Sequence, residues 1–340
     1  MTESDAATFA DIRRLLGELP APHLESGTAA AARQAQLIKP AGALGRLEEL
    51  AAWLATWQGR HPPGMDRPRV AVFAGNHGVA AQGVSAYPAS VTGQMVQAFI
   101  DGGAAINQIC AAFDADLRVY EMALEAPTAD FTDAPAMPED DCVRAMAYGM
   151  MAVEDGFDVM ALGEMGIANT TSAAALSCAL FGGAPADWVG PGTGVDGAGC
   201  ARKAEVVRAG LERHAAMLDD PLTALRCLGG LELAAIAGAV LACRMARTPV
   251  LLDGFTATAA AAVLFRLDPR LLDHCRVGQL SREPGHARLV AELGQTPLLD
   301  LGMSLGEASG AAAALPLLRA ACACHNGMAT FGEAGVEGAV

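Results

Sequence analysis

From residue 69 onward the apolar positions gather into short unbroken runs: RVAVFA (69–74), LRVYEM (117–122), FDVMALG (157–163), ADWVG (186–190), TPVLLDG (248–254), CRVGQL (275–280) and PLLDLG (297–302). Runs apolar at consecutive rather than alternate positions mark strands covered on both faces, so all seven are expected in a parallel sheet between helical layers. Each is followed by a glycine-bearing turn and an alanine-rich stretch, the alternation of an α/β fold. Ahead of them the pattern is helical. TFADIRRLLGEL (8–19) and LGRLEELAAWLATWQ (44–58) carry apolar residues at helical spacing, and LESGTAAAARQAQLI (24–38) is rich in helix formers. The connector RHPPGMDRPR (60–69) separates the two regimes, because its prolines exclude helix continuation. A last helix is expected over about 306–325, followed by the glycine-rich tail NGMATFGEAGVEGAV. No fixed-period repeat is evident, which argues against a solenoid.

Composition narrows the function. The 340 residues are 52% hydrophobic, ample for a core, while aromatics make up only 5%. Abundant alanine and glycine suit close helix-on-sheet packing rather than an aromatic-lined nucleic-acid groove. A net charge of −15 repels phosphate backbones, so no nucleic-acid partner is expected and any anionic ligand must be held by local donors. The nine cysteines are odd in number and sit mostly in apolar runs, as core thiols do. Cys322, Cys324 and His325 look like a metal cluster, but on one helix they point in different directions, and no metal is expected. The N-terminus is polar and acidic, unlike a signal or transit peptide, and LAAIAGAVLAC (233–243) is too short to span a bilayer. A soluble protein of the reducing cytoplasm, with no membrane partner, is the expectation.

Open parallel sheets bind ligands outside the carboxyl ends of their strands. The turns there are GNHGV (75–79), GEMGIANTT (163–171), GPGTGVDGAG (190–199), DGFTAT (253–258), LSREPGH (280–286) and GMSLGEASG (302–310). In GEMGIANTT the amides at the helix start could hold a phosphate, or Asn169, Thr170 and Thr171 could simply cap the helix. GPGTGVDGAG puts five glycines in ten residues before Arg202 and Lys203, a phosphate cradle or a mobile surface loop. Its spacing fits neither the P-loop nor the dinucleotide fingerprint. Ser281 offers a phosphate donor or a helix cap. His77 is a general base or a turn residue bonded to backbone. Asp253 orients a ribose hydroxyl or caps the next helix. Glu307, at the start of the last helix, complements the helix dipole or does chemistry.

Together these segments resemble the nicotinate-nucleotide:dimethylbenzimidazole phosphoribosyltransferase family of cobalamin nucleotide-loop assembly. The resemblance lies in KPAGALGRLEELA, GNHGVAAQGVSAYP, LGEMGIANTT, GTGVDGAGCARKAEVV, LRCLGGLELAAIAGA, PVLLDGFTATAA and LGEASGAAAALPLLRAACACHNGMATF, in that order, over nearly the whole chain after the first thirty residues or so. It implies transfer of 5-phosphoribosyl from nicotinate mononucleotide to 5,6-dimethylbenzimidazole with β-to-α inversion, by a homodimer needing no metal or other cofactor. It implies a Rossmann-like sheet domain, residues 67–304, and a small helical domain built from residues 1–66 and 305–340. The family's base falls on Glu307, with Ala308 where a glycine is common. Phosphate and nucleotide contacts fall on Glu164, Gly166, Thr170, Thr171, Gly192, Gly194, Lys203 and Ser281, and the benzimidazole pocket on Tyr87, Gln94 and Met95. Two other readings stay open: a nucleotide-binding regulatory module without turnover, and a related transferase or nucleosidase with another acceptor.

Overall fold

The computed structural model describes residues 7–154 and 156–337. The first six residues of the acidic N-terminus and the last three of the tail lie outside the described residues. Five of the seven apolar runs form strands: β1 (Pro68–Ala74), β2 (Asp116–Glu121), β3 (Val159–Met165), β4 (Val250–Leu252) and β5 (Cys275–Val277). They make one parallel sheet in the order β2-β1-β3-β4-β5. The other two runs are not strands. In ADWVG, Pro185 opens a short 3-10 turn, Pro185–Asp187, and Trp188 plugs the core, its indole N–H donating to the Gly182 carbonyl at 2.8 Å. PLLDLG runs beside the end of β5, where Leu298 and Leu299 donate to the carbonyls of Val277 and Gly278, but forms only an isolated bridge, Leu299 to Gln279, and the guanidinium of Arg46 donates to the carbonyls of Thr296 and Pro297.

The helices α1 (Phe9–Leu16), α2 (Leu24–Gln34) and α3 (Arg46–Gln58) precede the sheet. Then come α4 (Ser90–Ile100), α5 (Ala105–Ala112), α6 (Glu139–Met151), α7 (Asn169–Phe181), α8 (Gly197–His214) and α9 (Pro221–Leu228). The last five are α10 (Leu231–Ala246), α11 (Phe255–Leu267), α12 (Pro284–Glu292), α13 (Ser309–Gly327) and α14 (Phe331–Ala334). Strand side chains alternate between faces, and the core divides accordingly. Ala71, Phe73, Met160, Leu162, Val250 and Leu252 point into a core with α6, α7, α9, α10 and α11. Val70, Val72, Val159, Ala161 and Leu251 point into the other, with α3, α5 and α13. Burial on both faces is why these strands read as unbroken apolar runs. α10 is apolar all round because the sheet, α6 and α11 surround it.

The chain ends meet on the second face. α3 packs on α2 and α13, and Leu50, Trp53, Leu54 and Trp57 share a core with Leu315, Leu318 and the sheet. Arg33 and Gln34 of α2 bond to the carbonyl and the ring of His325 on α13.

Candidate active site

Strand order reverses between β1 and β3, and a cleft lies outside the carboxyl ends of the sheet there. Of the residues proposed from sequence, Glu164, Gly166, Thr170, Gly192, Lys203 and Ser281 line it, from four segments of the chain. Ser304, Leu305 and Gly306 form another wall, ending beside Glu307.

At one end the donors converge. Lys203, on the first turns of α8, is 2% exposed; its ammonium donates to Thr170 Oγ1 and to the Gly190 carbonyl, both at 3.0 Å. Burial lowers its pKa and the neighbouring Glu283 carboxylate opposes the shift. Gly192 has φ +52°, and a Cβ there would stand 2.7 Å from the ammonium, so the loop needs glycine twice over. The amide of Ser281 donates to His286 Nδ1 at 2.9 Å, and the other ring nitrogen lies 3.1 Å from Thr258 Oγ1. Burial holds His286 at about 4, so the ring is neutral; with Nδ1 accepting, its proton is on Nε2. Ser281 Oγ accepts the Glu283 amide at 3.2 Å, leaving its own proton to give. The α12 N-cap position is Glu283, not Ser281.

At the other end carboxylates gather. Glu307 precedes α13 by two residues, with φ +61°, and Ala308 has the same φ. Left-handed backbone costs roughly 1–2 kcal/mol per non-glycine residue and is held here by tertiary bonds. The Glu307 amide donates to the Glu164 carbonyl at 3.0 Å, and the Ala311 amide to Asp253 Oδ1 at 2.9 Å. Glu307 is 4% exposed and its Oε2 is buried without a partner. A carboxylate that merely capped the helix would be hydrogen-bonded to its amides. Burial pushes Glu307 up to about 7. Glu164 rises to about 8, through burial first and then the charges of Asp253, Glu232 and Glu307, against a hydrogen bond from Asn169. Asp253 rises to about 7, through burial opposed by the Ala311 amide.

His77 lies behind this wall, not in the cleft. Its Nε2 is 2.5 Å from Glu232 Oε1 and its Nδ1 3.0 Å from Ser172 Oγ, all three side chains buried. It is bonded to side chains rather than backbone. Thr171 is fully buried in α7, and Gly194, φ +113°, has open space around it. Tyr87 and Gln94 are exposed, and Met95 packs on the α3–α13 core. The loop ahead of α4 reaches the cleft at Val84 and Ser85, whose hydroxyl lies 3.2 Å from Thr193 Oγ1 of the glycine loop. Sequence reading passed over Glu232, Gln279 and Glu283. An acid at the head of the apolar LELAAIAGA run was the available signal for Glu232. Among the described residues no group of three or more His, Cys, Asp or Glu side chains has metal-holding geometry, and no helix is long and apolar enough to cross a membrane.

Comparison with known proteins bears on the family and the fold. The profile of a family described as "Phosphoribosyltransferase" matches residues 19–336. A nicotinate-nucleotide–dimethylbenzimidazole phosphoribosyltransferase of Brucella melitensis is 56% identical over 329 residues, 97% of each chain, and one of Brucella abortus is 55% identical over the same span. The crystal structure of CobT from Thermus thermophilus superposes with a TM-score of 0.86 at 44% identity, covering 93% of this chain and all of that one. With motifs, fold and comparisons concurring over almost its full length, the chain belongs to the nicotinate-nucleotide:dimethylbenzimidazole phosphoribosyltransferase family.

Proposed function

We propose that the protein transfers 5-phosphoribosyl from nicotinate mononucleotide to 5,6-dimethylbenzimidazole, giving α-ribazole 5′-phosphate and nicotinate for cobalamin assembly. The observation that carries the mechanism is Glu307: buried beside the cleft wall, strained in backbone, with a carboxylate oxygen left unpartnered. The unprotonated ring nitrogen of the acceptor attacks the anomeric carbon from the face opposite nicotinate, which inverts β to α. The carbon–nitrogen bond to nicotinate breaks, and the leaving pyridine nitrogen takes the bonding pair and needs no proton. Positive charge on the benzimidazole makes its remaining N–H acidic, and Glu307 removes that proton. Lys203, Ser281, Thr170 and the Gly166 and Gly192 amides hold the 5′-phosphate while oxocarbenium character develops. Burial raises both carboxyls, and the Glu307 charge pushes Glu164 up further, so an ionised Glu307 favours a protonated Glu164 beside it. The apolar acceptor rests near Leu305 and the Tyr87 loop, with Gln94 and Met95 on the α4 helix that follows. The protein works in the cytoplasm as a homodimer; nine free thiols support a reducing compartment.

The test is incubation of purified protein with both substrates, following nicotinate and the aromatic nucleotide by chromatography. Stoichiometric release of the two is expected. Release of ribose 5-phosphate instead would establish hydrolysis, and nucleotide binding without product would establish a binding module. Offering adenine and several benzimidazoles together would rank the acceptors.

A further inference from the structure

Two of the donors assigned above to the phosphate, the Gly192 amide and the Lys203 ammonium, are already engaged, and a carboxylate holds the first of them. Glu283 Oε1 accepts the Gly192 amide at 2.8 Å. Its own amide donates to Ser281 Oγ at 3.2 Å, and its charge is the neighbour that most supports the Lys203 ammonium. The side chain lines the cleft, the residue is 5% exposed, and Oε2 is buried without a partner. A second like charge cannot enter such a site cheaply: the Lys203 ammonium would have to balance Glu283 and a dianion together.

A carboxylate oxygen that accepts a loop-glycine amide next to a lysine makes the contacts a phosphate oxygen would make. We infer that Glu283 is an internal stand-in for the donor's 5′-phosphate. It occupies the anion cradle near the Lys203 ammonium and yields the Gly192 amide when phosphate enters. The inference rests on the reading of this cradle as the phosphate site. It makes Glu283 a specificity-determining residue, because only an anionic 5′-substituent competes for those donors, and an unphosphorylated nucleoside leaves the carboxylate in place.

The test is calorimetric titration of the wild-type protein and Glu283→Gln with inorganic phosphate. The amide keeps the side chain's shape and its bond to Gly192 but removes the charge, so the variant should bind phosphate about tenfold tighter or more. Equal or weaker binding overturns the stand-in and leaves the cradle assignment standing. No phosphate binding by either protein removes the cradle, and the stand-in with it. A second measurement needs no variant: crystals of the wild-type protein soaked in nicotinate mononucleotide. Phosphate on the Gly192 amide with Glu283 displaced is the expected result. An intact Gly192–Glu283 bond beside bound nucleotide overturns the inference.

Discussion

The backbone amide of Glu307 donates to the carbonyl of Glu164 across 3.0 Å. This bond ties the turn before α13 to the end of β3, so the two glutamates share one rigid wall although they lie in distant parts of the sequence. Gly306 brings the wall close: a Cβ there would sit 3.0 Å from Glu164 Oε1. The two glutamates are thus fixed relative to each other through their backbones.

Replacing Glu307 by Gln keeps size and backbone while removing the proton acceptor. Turnover should fall about 10²–10⁴-fold, the usual contribution of a positioned general base. Dissociation of nicotinate mononucleotide should change little, since the phosphate donors come from other turns. Turnover near wild-type with both substrates saturating would take the base role away from Glu307.

Because the base must be ionised, turnover should fall on the acid side with an apparent pKa near 7, where burial places Glu307. The value belongs to the coupled group, since the charges of Glu307, Asp253 and Glu232 all act on Glu164. Measuring kcat from about pH 5 to 9 at saturating substrates checks this. A profile flat through pH 6 would mean that no buried carboxyl limits the reaction.

The same burial acts on stability. Glu164, Asp253 and Glu307 hold protons more tightly folded, at about 8, 7 and 7, than at their ordinary values of 4.5, 3.8 and 4.5. From about pH 5 to 8 the native state therefore binds more protons than the unfolded chain, and stability falls as pH rises. The melting temperature should drop across that window. Glu307→Gln should flatten the drop and melt about 2 °C or more above wild-type at pH 8. Equal slopes for the two proteins would show that Glu307 titrates as it does in water.

Much of this fold was legible because burial on both faces leaves a local trace: β1 is apolar at nearly every position and is buried throughout. ADWVG left the same trace and misled, because Trp188 is buried as the plug of a turn, and an apolar run does not say which backbone buries it. In the site, Thr170, Gly192, Lys203 and Ser281, which line the cleft, stood out in the sequence from their turns. Their supports did not. His77 meets Glu232 across 155 positions, and Gly192 meets Glu283 across 91, contacts that no spacing rule encodes. Nor does the sequence reveal that Glu307 is left-handed, since that conformation is imposed by Glu164 and Asp253.

Gly163 should prove as necessary as the glutamate it never touches through a side chain. It lies in β3 opposite Val72, under the start of α13. A Cβ there would overlap the Ala308 nitrogen and Cα and stand 2.7 Å from the Ala308 Cβ, an approach that neighbouring backbone cannot accept without moving. Gly163→Ala must therefore push α13 away from the sheet. Glu307 moves with it, because it is joined to Ala308 and hydrogen-bonded to the strand that now repels it. A shift of about 1 Å at a catalytic group is enough for a loss near 10²-fold, so kcat should fall by about that factor. The KM for nicotinate mononucleotide should change far less, because Lys203, Ser281 and Gly192 hang on other elements. Overpacking should also remove about 1–3 kcal/mol of stability. The control is Gly197→Ala at the start of α8, where a Cβ meets nothing within 4 Å and both properties should stay near wild-type. Steady-state kinetics and thermal melts of the two variants decide the matter. A folded Gly163→Ala enzyme with wild-type kcat would mean that the approach of α13 to β3 does not set the position of the base.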